Sequence, residues 1–461
     1  MMNTWKAAAC AGRFRLPGRA WRSLVTLALS AAATLAAADR PVLQLTLRRA
    51  VDLATSPEGS LRIQLANELT RQAQARSEQA RAGLLPQIEG SVTKENMNRN
   101  LAAVGLQLNV PVAGFQFPQV VGPFDVFDAR LSGTQSLFDL SVIRRYQASK
   151  VAISAAKSDR AGVEEQVVAQ ISKTYLAALR ADADEAAARS NVALAKALLE
   201  QAESLKSAGT GTGIEVTRQR VQLANENQRL LVTENQKRRA RLQLLKAMNL
   251  RLDTEIELTD QLTYIPVDAV MLQQIKAAAL EARWDYQAQL SKQDNARLAS
   301  SAVKMEQLPS LSTFANYGSI GSGFTSALPT REYGVTLRVP IFSGGRRRGR
   351  RHESESQLRQ EQIRTNDLKD QIDLDVRLAV DALQSAEEEV KVAAEGLTLA
   401  ENELAQARRR LDAGVAISLE VTDAQTRLSR ARDNQIAALL HHAEARIDLG
   451  QATGALRRVL Q

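Results

Sequence analysis

The sequence predicts a mainly helical chain with transmembrane β-strands, built from one unit used twice. The first observation is a repeated stretch: Ala208-Gly209-x4-Ile214-Glu215-Val216-Thr217 recurs 205 positions on as Ala413-Gly414-x4-Leu419-Glu420-Val421-Thr422. Each copy separates two long charged runs rich in Ala, Leu and Gln, and a Gly closing one helical pattern before a second opens marks a helical hairpin tip. The second observation is a pair of segments whose apolar residues alternate with polar ones, Leu131 to Phe138 and, 204 positions later, Val335 to Phe342. The third is composition: aromatic residues make up only 4% and there are 11 prolines in 461 residues, which suits long helices better than a β-rich globule. Each half therefore reads helix, strand, strand, long helix, tip, long helix.

Residues 1–38 carry Lys6, Arg13, Arg15, Arg19 and Arg22, then an apolar run from Leu24 that closes on Ala36-Ala37-Ala38. A basic flank, a short apolar core and small residues before Asp39 form a secretory signal peptide. Its removal takes the formal charge from +9 to +4, so nucleic-acid binding gains little support. Cys10, the single cysteine, precedes the apolar core, so it is not placed as a lipid anchor and the mature chain forms no disulfide. After the signal no run of 18 apolar residues occurs, so membrane insertion requires a closed barrel.

From Leu43 to about Leu85 apolar positions recur at helical spacing, broken into two helices by Thr55-Ser56-Pro57-Glu58-Gly59. At Leu85-Pro86 the period changes to two: Ile88, Gly90 and Val92 alternate with Gln87, Glu89, Ser91 and Thr93. A loop is expected over Asn98 to Pro123, then a strand in which Phe127, Ala129 and Leu131 alternate with Asp128, Arg130 and Ser132. The second half repeats this with Leu311 to Tyr317, a small-residue loop at Gly318 to Ser326, and Tyr333, Val335, Leu337, Val339 and Ile341. Such segments fit barrel strands with lipid outside and a polar lumen, and equally an ordinary half-buried sheet. Four strands cannot close a barrel, eight would be plugged by side chains, and twelve from three chains leave a lumen.

The runs Val142 to Ser207 and Arg348 to Asp412 are about 65 residues, or about 95 Å as helix. Their heptad-like apolar spacing is that of coiled coils that must pack side by side. The return helices, Ile214 to about Asn249 and Leu419 to about Leu449, are shorter, and helices over Asp268 to Gln307 repeat the N-terminal pair. The expected organisation is a signal peptide (1–38), a first repeat (39–262) and a second (263–461). Barrel strands are expected near 85–96, 124–138, 309–318 and 331–342. The hairpins are expected near 142–250, with its tip at 207–213, and near 348–449, with its tip at 412–418.

Little of the sequence suits chemistry. Gly209-Thr210-Gly211-Thr212-Gly213 has no preceding strand and no following Lys-Ser or Lys-Thr, so it reads as a tip and not as a phosphate cradle. His352, His441 and His442 have no ligand set around them, so no metal, no cofactor and no catalytic base is expected, and an enzyme is the least supported class. Arg346, Arg347, Arg348, Arg350 and Arg351 follow a strand and read as a basic collar at the barrel base, with acidic lipid head groups as a second reading. Thr212-x-x-Glu215 has capping-box form, and Ser418 is placed to cap the second return helix. Glu420 and Asp423 share one face of that helix's first turn; they either complement its dipole or, around an axis, form an acidic ring selecting cations. Arg218 stands where Asp423 would fall in the first tip, so the two hairpins are not interchangeable.

The junctions Gln135-Ser136-Leu137-Phe138-Asp139 and Val339-Pro340-Ile341-Phe342-Ser343-Gly344-Gly345-Arg346, with the tips at Gly209 and Gly414, resemble the outer-membrane factor (TolC-like) family of efflux and secretion channels. The resemblance spans nearly the whole mature chain. It implies a homotrimer: a twelve-stranded barrel in outer-membrane lipid, four strands per chain, continuous with an α-barrel of helical hairpins in the periplasm. It further implies a passive duct for drugs, metal ions, siderophores or polypeptides. Such a duct docks to a periplasmic adaptor protein and an inner-membrane transporter of the RND or ABC type. By the same resemblance Glu420 and Asp423 line the periplasmic aperture, and Gly209, Glu215, Gly414 and Val415 lie at the adaptor-docking tips. The alternative from the residues alone is a trimeric outer-membrane coiled-coil structural protein or adhesin, but those place their strands at the C-terminus, whereas here they are internal and duplicated.

Overall fold

A computed structural model describes residues 42–57, 59–105, 119–266 and 278–459. The signal segment with Cys10, part of the loop expected at Asn98 to Pro123, and the start of the helical run from Asp268 lie outside them.

The elements in order are β1 (Leu43–Leu45), α1 (Leu47–Thr55), α2 (Leu61–Ala82), β2 (Gln87–Asn100), β3 (Val120–Phe138), α3 (Leu140–Ser207), α4 (Gly213–Ala247) and β4 (Ile256–Leu258). There follow α5 (Trp284–Met305), β5 (Ser310–Gly321), β6 (Leu328–Arg338), α6 (Arg346–Asp412), α7 (Ser418–Ala452) and α8 (Leu456–Val459). The duplication shows in the lengths: α2 and α5 have 22 residues each, α3 and α6 have 68 and 67, and α4 and α7 have 35 each. At 1.5 Å per residue α3 and α6 are each about 100 Å long.

Packing builds a wall four helices wide. Beside the strands its order is α2, α3, α5, α6; toward the tips it is α4, α3, α7, α6. The two long helices run the full height and the short ones are stacked in pairs. Small residues permit the close approach: Ala178, Ala188, Ala195, Ala386, Ala400 and Ala424 are all buried in it. Three apolar cores follow one another along the wall. The waist core gathers Tyr175, Ile171, Leu244, Met248, Ile447 and Leu456 around Leu45 and Ile256. The second joins Ile372, Val376 and Leu383 of α6 to Ala445 and Leu449 of α7. The third, near the tips, joins Leu198 of α3 to Leu404 of α6 and Val421 and Leu428 of α7.

The strands form one antiparallel sheet in the order β2-β3-β5-β6. Register puts Gly90, Leu131 and Tyr317 opposite one another, with Arg331 next in the row. One face therefore carries Ile88, Val92, Ala129, Leu131, Tyr317, Tyr333, Val335 and Leu337, the other Glu89, Ser91, Asp128, Arg130, Ser132, Asn316, Glu332 and Thr336. Among the described residues both edges, β2 and β6, lack a second partner strand, and Val92 and Tyr333 are 74% and 80% exposed.

Several boundaries differ from the sequence reading. Leu43–Leu45 is a strand, not the start of a helix: it pairs in parallel with Ile256–Leu258 across the waist. β2 and β3 run on into the expected loop, to Asn100 and from Val120, by a register shift between Met97 and Arg99. β5 extends to Gly321, which shortens the loop expected at Gly318 to Ser326. β6 begins at Leu328 and ends at Arg338, before the expected Phe342, because Pro340 has no N–H to continue the ladder.

The two joints between strand and long helix are built differently. Asp139 caps α3, its Oδ1 accepting from the N–H of Ser141 at 2.8 Å and of Val142 at 3.2 Å. At the second joint Gly344 and Gly345 take φ of +60° and +83°, and α6 has no side-chain cap. Only glycine adopts this left-handed backbone without strain.

Candidate functional site: the hairpin tips and the sheet faces

Both tips close by the same hydrogen bonds. Gly209 N–H donates to Lys206 O at 3.1 Å and Thr210 N–H to Leu205 O at 3.1 Å; Gly414 N–H donates to Leu411 O at 2.9 Å and Val415 N–H to Arg410 O at 3.0 Å. This is the Schellman motif, and the two glycines sit at φ of +76° and +72° as it requires. The tips leave Ile214, Val415 and Ile417 about two-thirds exposed.

Beyond the glycines the tips diverge. Glu215 reaches back to its own helix start, accepting from Thr212 N–H at 3.0 Å and its hydroxyl at 3.1 Å. The backbone N–H of Thr212 is the largest cause holding this carboxyl below its ordinary pKa. Ser418 does not cap α7: Ile417 occupies the cap position, and the Ser418 hydroxyl donates across to Glu215 Oε1 at 3.2 Å. Glu215 thus ties one tip to the other. Glu420 lies 3.3 Å from Arg410 Nη1 within its own hairpin. Asp423, on the same face, is exposed and forms no ion pair among the described residues.

Above the tips the return helices are cross-linked. Gln219 Nε2 donates to Thr422 Oγ1 at 3.0 Å, and Arg229 donates to Ser429 Oγ at 2.7 Å and pairs with Asp433. Asn191 of α3 donates to the same Ser429 at 3.0 Å, in a buried position. Sequence reasoning missed these partners. A signal was present: Glu215–Ser418 and Gln219–Thr422 are 203 apart, Arg229–Ser429 and Arg229–Asp433 are 200 and 204 apart, all close to the repeat offset. The duplicated helices α4 and α7 flank α3, and long side chains reach between their near-equivalent positions.

Arg346, Arg347 and Arg348 occupy the first turn of α6, where no acidic residue offsets the positive end of the helix dipole. Arg347 donates to Pro340 O at 3.2 Å. Arg350, by contrast, pairs with Glu306 at 2.8 Å, and Arg145 pairs with the same carboxylate. Just above, Ile341 and Phe342 are 93% and 88% exposed, an apolar belt at the foot of the sheet.

No helix among the described residues is long and apolar enough to cross a membrane, and no cluster of potential metal ligands occurs among them. The sheet, with one apolar face, one polar face and continuous helices below, is the only described part suited to lipid.

The sequence profile of the family described as outer membrane efflux protein matches residues 58–250 and 277–455. The chain belongs to that family. The pyoverdine export outer membrane protein OpmQ of Pseudomonas putida is 25% identical over 405 residues, 83% of this chain and 81% of OpmQ. The Campylobacter jejuni outer membrane channel CmeC aligns with a TM-score of 0.75 at 17% identity, over 89% of this chain and 86% of that one. The outer membrane protein VceC of Vibrio cholerae gives 0.71 at 17% identity, over 88% and 96%. The fold is thus that of the outer-membrane factor channels, as the junctions and tips led us to expect, and the protein is an outer-membrane efflux channel. The family and the fold are those of channels, not of enzymes.

Proposed function

We propose that three copies close the open sheet edges into a twelve-stranded barrel, and their helical walls into a tunnel below it. The result is a passive conduit from periplasm to exterior. The two unpartnered edges of a sheet with one apolar and one polar face carry this reading. An open edge in lipid leaves backbone N–H and C=O groups unsatisfied at several kcal/mol each, and pairing β6 of one copy with β2 of the next satisfies them. The polar face, with Glu89, Asp128, Arg130 and Glu332, then lines the lumen, and the apolar face meets outer-membrane lipid.

The conduit works in a tripartite efflux or type I secretion assembly: the tips, with Gly209, Glu215, Gly414 and Val415, dock a periplasmic adaptor, and an RND-type or ABC-type transporter supplies the energy. Pyoverdine, exported by OpmQ, is the first cargo to test. Arg346, Arg347 and Arg348 form a basic collar at the barrel base. The aperture is formed by Glu420 and Asp423 of the inner hairpin, α6 and α7. Because Arg410 partly neutralises Glu420, Asp423 supplies most of the field at the axis. Opening swings this hairpin outward.

Single-channel recording in planar bilayers tests the reading. Glu420→Ala with Asp423→Ala should raise conductance and weaken cation preference, with Asp423→Ala alone giving most of the selectivity change. Unchanged selectivity in the double variant removes both residues from the aperture, and a monomer that forms no channel removes the conduit itself.

A further inference from the structure

The apolar face of the sheet ends in charge at its upper margin. Lys94 on β2 and Arg331 on β6 share the face of Val92, Leu131, Tyr333 and Val335. Each stands seven residues up its strand from the end that joins the helices, Gln87 for β2 and Arg338 for β6. From Arg331 down to the exposed Phe342 are eleven residues. The seven strand steps from Arg331 to Arg338 climb about 18 Å at roughly 3.3 Å per residue and roughly 40° of tilt, and Val339 to Phe342 continue the apolar run below them toward the roughly 25 Å band of an outer-membrane barrel. The two cations therefore stand where the outer leaflet's head groups begin.

Neither has a strong partner among the described residues. Lys94 Nζ is 3.9 Å from Asp125 Oδ2, and Asp125 already accepts from Asn96 at 2.7 Å. Arg331 is exposed and forms no ion pair among the described residues. Across the ladder it faces Tyr317, which is 67% exposed. Moreover, β2 and β6 are the two edge strands, so the two cations lie at opposite margins of one copy. Closure of three copies brings Arg331 of one beside Lys94 of the next at equal height, at every seam.

We propose that Lys94 and Arg331 together hold a phosphate of the phosphorylated glycolipid of the outer leaflet, one at each seam of the closed barrel. Arg supplies a forked donor set suited to phosphate oxygens and Lys a point charge, and the apolar face below accepts the acyl chains. The site rests on the trimeric closure, since neither residue suffices alone.

Native mass spectrometry of the intact protein in detergent tests it, with bisphosphorylated lipid A as probe. Dephosphorylated lipid A and phosphatidylglycerol are the comparisons. The trimer should retain up to three lipid A molecules. Affinity should fall about tenfold or more when the phosphates are removed, or in Lys94→Ala with Arg331→Ala, because a charge-assisted contact is lost. Arg338→Ala, on the lumen face, should leave binding unchanged. Equal binding of the dephosphorylated lipid overturns the proposal and needs no variant, so it holds even if the double variant does not assemble. Equally tight phosphatidylglycerol binding with the same dependence on Lys94 and Arg331 overturns the assignment to the glycolipid. A monomer in the same spectrum sinks the closure and this site with it, whereas a trimer without phosphate selectivity sinks the site alone.

Discussion

Replacing Arg229 with Ala should favour the open channel. Its guanidinium is the main polar tie between α4 and α7, donating to Ser429 at 2.7 Å and pairing with Asp433. The side chains of Arg229 and Asp433 are 39% and 40% exposed, so solvent screens the ion pair to about 0.2–1 kcal/mol. The hydrogen bond from a charged donor to Ser429, itself buried, adds about 1 kcal/mol after the same discount. If α7 leaves α4 on opening, Arg229→Ala removes about 1–2 kcal/mol from the closed state alone, a factor of about 5–30 in the opening equilibrium. Asp433→Ala should give the smaller part of this, and the double variant should fall short of the sum, because both act on one contact. Open probability of purified trimers in planar bilayers is the readout. An unchanged open probability in Arg229→Ala, with trimers intact, would falsify outward movement of α7 from α4 as the opening step.

The remaining expectations concern stability and pH. Tyr175 is fully buried and its hydroxyl meets Leu45 O and Asp260 Oδ2, each at 2.9 Å; Tyr175→Phe should cost about 1–3 kcal/mol by leaving a buried acceptor short of a donor, visible as a lower melting temperature. Leu383→Ala empties a fully buried position in the second core and should cost about 2–5 kcal/mol in the same measurement. His442 is buried beside Tyr264, with both ring nitrogens lacking partners among the described residues. Burial, then the charge of Arg446, lowers its pKa. A depressed value means the neutral form is favoured, so its contribution is intact above the unfolded value near about 6.5 and is lost as pH falls from there through the folded value. Melting temperature should therefore drop on acidification below about 6.5, and His442→Leu should flatten that drop. Glu215 has the same sign in a lower range: its tie is intact above about 4.3 and lost as pH falls through its lowered value. Hydrogen exchange at the Thr212 amide should rise there, and already at pH 7 in Glu215→Gln.

The sequence disclosed the tips and the faces of the sheet because each rests on local chemistry. Gly209 and Gly414 each mark a backbone that only glycine adopts cheaply, and alternation at Ile88, Gly90 and Val92 needs no distant partner to be seen. What stayed hidden depends on contacts across about two hundred residues. Three residues at Leu43–Leu45 cannot be told from a helical run until Ile256–Leu258 lies beside them. Ser418 looked like a cap because its neighbours fit one, yet its nearest acceptor belongs to the other hairpin. Glu420 and Asp423 were legible as one acidic face, but the pairing of Glu420 with Arg410 required the fold of the tip.

The unequal joints between strand and helix bear on where motion stops. A displacement at the tip of the α6–α7 hairpin, carried up about 100 Å of continuous α6, reaches a joint of two left-handed glycines, Gly344 and Gly345, bridged by the side-chain bond from Arg347 to Pro340 O. The same push along α3 meets the Asp139 clamp and is handed to β3. The α3 half of the repeat is thus clamped onto the sheet at its first turn while the α6 half joins it through glycine backbone, so bending between helix and sheet is resisted less at the second joint.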